Sequence, residues 1–448
     1  MPPPGVQIYH ADYAWLAGDR VAEGVQILTG NGRISGVVTG VERAARATHL
    51  PGLTLPGFAN AHSHAFHRAL RGRTHRGSGS FWTWREDMYA VAARLTPDSY
   101  YRLARATYAE MALAGITCVG EFHYLHHDTG GVRYADPNAF GDALIAAAAD
   151  AGIRITLLDT CYLAGGIGEP LEGPQLRFGD GDAAGWGERA AALQGSDQAR
   201  IGAAIHSVRA VPADQLSTVA GWAAERELPL HFHVSEQRAE NEACLAAYRR
   251  TPVQLLGEHG ALGERSCAVH ATHLEQVDIE ALGATHTTVC MCPTTERDLA
   301  DGIGPARALA DAGAPLALGS DSNAIIDMFE ETRALELDER LASERRGHWP
   351  VSELLDAATA GGHATLGWPE AGRLEVGALA DFVTVGLDSV RLAGSAPDTL
   401  LESVVFAAAT GDVREVVVGG RRVVRDGRHA LIADVATELD SAITAVLA

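Results

Sequence analysis

The chain has 448 residues, 47% of them apolar, and a formal charge of -21. That length suits one large α/β barrel with a small added domain, and the acidic balance argues against nucleic acid and anionic membrane surfaces as partners, because the whole-protein field repels both. The start, Met-Pro-Pro-Pro-Gly, lacks a charged region followed by an apolar one, and no apolar run reaches the ~18 residues of a membrane span, so a soluble, cytoplasmic protein is expected.

Residues 1–55 read as short β segments, such as 24–29 and 34–38, separated by Gly and Asn turns. From Leu55 apolar strands alternate with helical stretches, which implies a parallel sheet. The first strand runs Pro56-Gly57-Phe58-Ala59-Asn60-Ala61-His62-Ser63-His64. Its period of two sets His62 and His64 on one face, where two imidazoles can converge on a cation. Among 19 histidines such a pair arises by chance, so its weight comes from the His, Glu and Asp residues that end later apolar runs.

An Arg- and Gly-rich loop, 68–80, and the cluster Phe81-Trp82-Thr83-Trp84-Arg85 follow, which suits a lid or substrate-binding segment better than a linker. A helix at 97–114 precedes the second strand, 117–123, which runs into Tyr124-Leu125-His126-His127. A helix at 138–151, a strand at 154–158 and a loop at 165–182 come next. Strand four, 201–206, ends in His206 with Arg209 just beyond, and a helix at 212–226 leads to strand five, 229–236, carrying His233 and Glu236. Strand six, 267–273, holds His270; strand seven is 287–293; strand eight, 315–321, ends in Ser320-Asp321. After a helix near 351–366 the pattern returns to β at 380–385 and 416–424.

The fold expected is a (β/α)8 TIM-like barrel over 56–370, with a small composite β domain built from 1–55 and 371–448, since neither terminal set is large enough to fold alone. Such a barrel gathers the polar strand ends at one mouth: His62 and His64, His206, His233 and Glu236, His270, and Asp321. Three neutral imidazoles and a carboxylate suit a divalent ion such as Zn2+, which can lower the pKa of water to about 7. Glu236, three residues past His233, is placed to shuttle protons without being a ligand, and His270 to hydrogen-bond the attacking oxygen or polarise the substrate. The rival arrangement makes His270 a ligand and Asp321 only a base. The six cysteines form no disulfide framework, and Cys290 and Cys292 read as core residues. All 36 basic residues are arginine, which excludes Schiff-base chemistry, a P-loop lysine and a carboxylated-lysine metal bridge.

Pro-Gly-Phe-x-Asn-x-His-x-His, His233-x-x-Glu236, His270 and Ser320-Asp321 together resemble the amidohydrolase superfamily in its mononuclear-zinc aminohydrolase branch. Gly377-Ala378-Leu379-Ala380-Asp381-Phe382-Val383 and Val418-Gly419-Gly420-Arg421-Arg422-Val423 resemble strand motifs of that superfamily's small β domain. His206 stands where binuclear members carry the modified lysine, so the resemblance implies one zinc per chain, with a carboxylate-bridged pair as the alternative. Asn60-Ala61-His62-Ser63-His64-Ala65-Phe66, Phe81-Trp82-Thr83-Trp84-Arg85-Glu86, Glu121-Phe122-His123-Tyr124-Leu125-His126-His127 and Cys292-Pro293-Thr294-Thr295-Glu296 are similar to the N-formimino-L-glutamate deiminases of histidine degradation.

That resemblance implies zinc held by His62, His64, His233 and Asp321, catalysis by Glu236 and His270 with Asp321, and substrate contacts from Arg85, Tyr124, His206 and Arg209. It also implies a homodimer and a small dicarboxylic substrate. One position departs: His67 stands where the family often has a Gln that contacts substrate. The expected reaction is hydrolysis of N-formimino-L-glutamate to N-formyl-L-glutamate and ammonia. The alternatives are a deaminase of a purine, pyrimidine or related ring, and a non-catalytic metal-dependent binding protein.

Overall fold

The structure, a computed structural model, describes residues 6–74 and 81–448. The Met-Pro-Pro-Pro-Gly start and the 75–80 part of the Arg- and Gly-rich loop lie outside the described residues.

Four strands open the chain: β1 (Gln7–Ala17), β2 (Arg20–Gly30), β3 (Arg33–Val38) and β4 (Thr48–Pro56). The next eight form the barrel: β5 (Phe58–Ser63), β6 (Ile116–His123), β7 (Arg154–Cys161), β8 (Ala199–Ile205), β9 (Leu230–Val234), β10 (Ser266–His270), β11 (Thr288–Met291) and β12 (Leu316–Leu318). They pair in parallel, in sequence order, as one sheet. Every residue of β5, β6 and β7 is buried, as expected for strands with side chains inside the barrel on one face and helices on the other.

The ends of the sheet meet where β12 returns to β5. Asp321 N–H donates to His62 O at 2.9 Å, and His64 N–H donates to Asp321 O at 3.0 Å. Asn60 ties the same seam, its Nδ2 donating to Ser320 Oγ at 2.7 Å and its Oδ1 accepting from Ser320 N–H at 2.9 Å. Gly319 permits this approach: a Cβ there would lie 2.8 Å from both Cβ and O of His62.

The last strands, β13 (Phe382–Val385), β14 (Val413–Val418), β15 (Arg421–Arg425) and β16 (Arg428–His429), join the first four in a second sheet. Its seam is antiparallel pairing of β4 with β13, Pro56 opposite Phe382. Tyr9, Val25, Ile27, Leu50, Phe382 and Val417 form its separate core, so both chain termini contribute to it. The buried Arg154 on β7 binds Asp381 with Nε to Oδ2 at 2.6 Å, and Asp381 Oδ1 accepts from Gly419 N–H, which pins this sheet to the barrel.

Phe81-Trp82-Thr83-Trp84-Arg85 is the start of a helix, α1 (Phe81–Ala92), on which Met88, Val91 and Ala92 are buried. The helix near 351–366 is interrupted by a π turn at Ala357–Gly361. No helix among the described residues is long and apolar enough to cross a membrane.

Candidate active site

The C-terminal ends of the barrel strands bring together the histidines that the sequence places apart. His62, His64, His233 and Asp321 are buried and each offers a ligand atom within 4.8 Å of the other three. Asp321 Oδ1 lies 3.2 Å from His62 Nε2 and 3.4 Å from His64 Nε2, and the Nε2 atoms of His62 and His233 are 3.1 Å apart.

Two of the rings are oriented from behind. His64 Nδ1 bonds the Phe122 carbonyl and His233 Nδ1 the His206 carbonyl, both at 2.9 Å, so these nitrogens carry the proton and Nε2 presents its lone pair to the centre. Burial lowers the pKa of all three imidazoles and keeps them neutral. Burial opposes ionisation of Asp321, but the hydrogen bond from His62 and the charge of His270 hold its carboxyl well below the usual carboxylate range. Tetrahedral zinc with ~2.0–2.1 Å bonds separates its ligand nitrogens by about 3.3 Å, which the observed spacings match. The donor set fits such an ion in number, chemistry and geometry.

His270 lies beside this set and outside its closest four. Its Nε2 is 3.8 Å from Asp321 Oδ2 and 3.9 Å from Glu236 Oε1, while Nδ1 bonds Glu296 Oε1 at 3.3 Å. Burial would lower its pKa, but Glu236, Glu296 and Asp321 push it up to about 10. The pKa of Glu236 is raised as well, by its burial, against the charges of His270 and Arg209. An imidazolium and a carboxyl whose proton affinity is raised by burial therefore flank the four-donor centre.

The mouth opens into a cavity lined by His64, His233, Asp321, Glu236 and His270 and by all five substrate-contact candidates, His67, Arg85, Tyr124, His206 and Arg209. His67 Nε2 bonds Tyr124 Oη at 3.0 Å, and burial pushes this imidazole down to about 3. His206 packs on Tyr162 with ring centres 4.3 Å apart; burial, then the charges of Arg209 and Arg85, keeps it neutral. Arg85 comes from α1, its guanidinium 4.9 Å from the Trp82 ring centre and 5.4 Å from that of Tyr89.

Other residues of the site were not singled out from sequence. Glu296 was visible only within the Cys292-Pro293-Thr294-Thr295-Glu296 motif; its Oε1 also accepts from Cys292 N–H, which fixes it against His270. Trp84, Met88 and Tyr89 line the cavity because α1 folds over it, a placement no local pattern signals. Glu121, buried below the first strand, accepts from Ala65 N–H at 2.7 Å and from Tyr100 Oη at 3.1 Å; burial pushes its carboxyl up to about 8.

A parallel barrel whose mouth sets four buried groups able to hold a metal beside Glu236 and His270 is the architecture of a metal-dependent hydrolase. The chain belongs to the amidohydrolase family, whose sequence profile matches residues 53–423. The chain is 40% identical over 398 residues to formimidoylglutamate deiminase of Pseudomonas aeruginosa, covering 86% of this chain and 87% of that protein. It is 30% identical over 379 residues to 5-methylthioadenosine/S-adenosylhomocysteine deaminase of Natronomonas pharaonis, covering 84% and 82%. Among solved structures, an amidohydrolase from Brucella melitensis superposes with a TM-score of 0.91 at 35% identity, over 99% of this chain and 100% of that one.

Proposed function

We propose that the protein hydrolyses N-formimino-L-glutamate to N-formyl-L-glutamate and ammonia, with one zinc ion held by His62, His64, His233 and Asp321. The observation that carries this reading is the pairing, in one cavity, of the hydrolytic centre with two arginines on different elements, Arg209 after β8 and Arg85 on α1. A dianion approaching a chain of charge -21 needs local positive charge at the mouth, and a guanidinium can pair both oxygens of a carboxylate. The 40% identity to the Pseudomonas aeruginosa deiminase supports the same substrate.

The ion, when bound, supplies Lewis acidity and makes water nucleophilic at neutral pH. Asp321 or Glu236 takes the proton of the attacking water. As the water oxygen adds to the formimino carbon, the His270 imidazolium donates a hydrogen bond to that oxygen and helps hold the tetrahedral intermediate. Glu236, its proton affinity raised by burial, passes protons to the terminal nitrogen, whose bond to carbon breaks to release ammonia. Both hydrogens of the water leave on that nitrogen, and its oxygen becomes the formyl oxygen.

The similarity to a 5-methylthioadenosine/S-adenosylhomocysteine deaminase supports a ring-deaminase alternative. A flat neutral base does not require two guanidiniums. Measuring ammonia release from N-formimino-L-glutamate alongside guanine, cytosine and adenosine separates the readings; turnover of a base without turnover of the dicarboxylate refutes the proposal.

A further inference from the structure

The cavity's Arg209 is gripped from behind by a residue with no part in the chemistry above. A helix, Arg238–Tyr248, starts just past Glu236, and its third residue, Glu240, is fully buried. Glu240 Oε2 lies 3.5 Å from Arg209 Nε, while Glu236 Oε2 lies 3.8 Å from Arg209 Nη2. One guanidinium therefore stands between two buried carboxylates, of which only Glu236 faces the reacting centre. An acidic residue in the first turn of a helix normally interacts with the helix dipole from an exposed position. Burying it is unfavourable unless a cation pairs with it, and Arg209 is the cation within ion-pair distance.

We propose that Glu240 is a positioning residue: its carboxylate holds Arg209 on the Nε side and keeps the guanidinium from collapsing onto Glu236. The inference rests on the deiminase reading and deepens it by naming what keeps the carboxylate-binding arginine available. A charge-assisted pair closes to about 2.7–2.9 Å, so a movement of only about 1 Å would convert the 3.8 Å approach into a direct Arg209–Glu236 bond. That bond would occupy the cation needed by the substrate and stabilise the ionised form of Glu236, weakening it as a proton donor. The opposing attraction of Glu240 holds both groups in their working places. Burial pushes the Glu240 carboxyl up to about 7 while the charge of Arg209 opposes that rise, so the ion pair weakens as the pH falls below that value.

A double-mutant cycle on the metal-loaded enzyme tests this, using E240Q, R209M and R209M/E240Q with ammonia release from N-formimino-L-glutamate as the assay. Metal content and thermal midpoint are measured on each protein. E240Q is expected to lower kcat/KM about tenfold, mainly through KM, and to change it less than twofold when R209M is already present. Equal losses from E240Q in both backgrounds would mean that Glu240 merely supports its helix, and would overturn the proposal. Should E240Q fail to fold, E240D takes its place, since it keeps the charge but retracts it, with the same two outcomes. A wild-type enzyme that releases no ammonia from the dicarboxylate overturns the substrate reading itself, a result distinct from either outcome of the cycle.

Discussion

Replacing Gly319 with alanine tests whether closure of the barrel sets the metal geometry. The new methyl would meet three atoms of one residue, His62 Cβ and O at 2.8 Å and N at 2.9 Å, whereas ordinary contact begins near 3.4 Å. Backbone atoms cannot swing aside as a flexible side chain can, so the two strand ends must separate by about 0.6 Å. Asp321 lies two residues further on and is tied to His62 through its backbone N–H. The same displacement would widen the 3.2 Å separation of His62 Nε2 and Asp321 Oδ1 to about 3.8 Å, outside the roughly 3.3 Å that tetrahedral zinc requires. Overpacking of this kind costs about 1–3 kcal/mol of stability, and misplaced ligands lower metal affinity roughly 10- to 100-fold. Competition with a chromophoric chelator measures the affinity, and thermal unfolding the stability. A G319A protein that binds zinc as tightly as wild type, with an unchanged midpoint, would refute the claim that this contact sets the ligand spacing.

Metal analysis should give one equivalent per active chain, and two equivalents would replace the single-ion centre with a bridged pair. E236Q should keep its metal yet lose about 10²–10⁴-fold in kcat, because it retains the shape of the side chain but not its proton; near-normal turnover would move the shuttle elsewhere. R85M and R209M should each lower kcat/KM for the dicarboxylate by roughly ten- to a hundredfold, a charged hydrogen bond contributing about 1.5–3 kcal/mol. If both keep wild-type preference over a formimino compound lacking one carboxylate, the two-arginine clamp fails. Stability should fall as pH drops from 6.5 towards 4, because burial, then the charge of Arg189, lowers His126 to about 4. In that window the unfolded chain binds a proton that folded His126 does not, worth about 1.4 kcal/mol per pH unit. The urea midpoint of H126Q should therefore lose less between pH 7 and pH 5 than that of wild type, and an identical loss would exclude His126.

Much of this architecture is legible in one dimension because a parallel barrel writes a strong local signal. Strands buried on both faces read as apolar runs, and their C-terminal ends must share one mouth, so His62, His64, His233, His270 and Asp321 can be grouped before any coordinates are seen. The composite sheet was visible as β patterns at both ends of the chain, too small to fold separately. Arg85 illustrates the limit. Its sequence neighbours are aromatic, but its entry into the cavity depends on α1 folding across the mouth, and the packing that makes 81–92 helical comes from residues far away in the chain.

The sequence by itself determined the barrel, the polar residues that end its strands and their strand order, because each depends on periodicity of two within a strand and on strand ends meeting. Only the tertiary structure decided how those ligands are aimed. The carbonyls of Phe122 and His206 orient His64 and His233, Glu296 bonds His270, and Glu240 lies against Arg209. These partners come from neighbouring strands, or from loops and helices beyond the strand ends, and are matched to within a few tenths of an ångström. Residue type and spacing along one strand carry no information about such distances, which arise only when strands, loops and helices pack against one another.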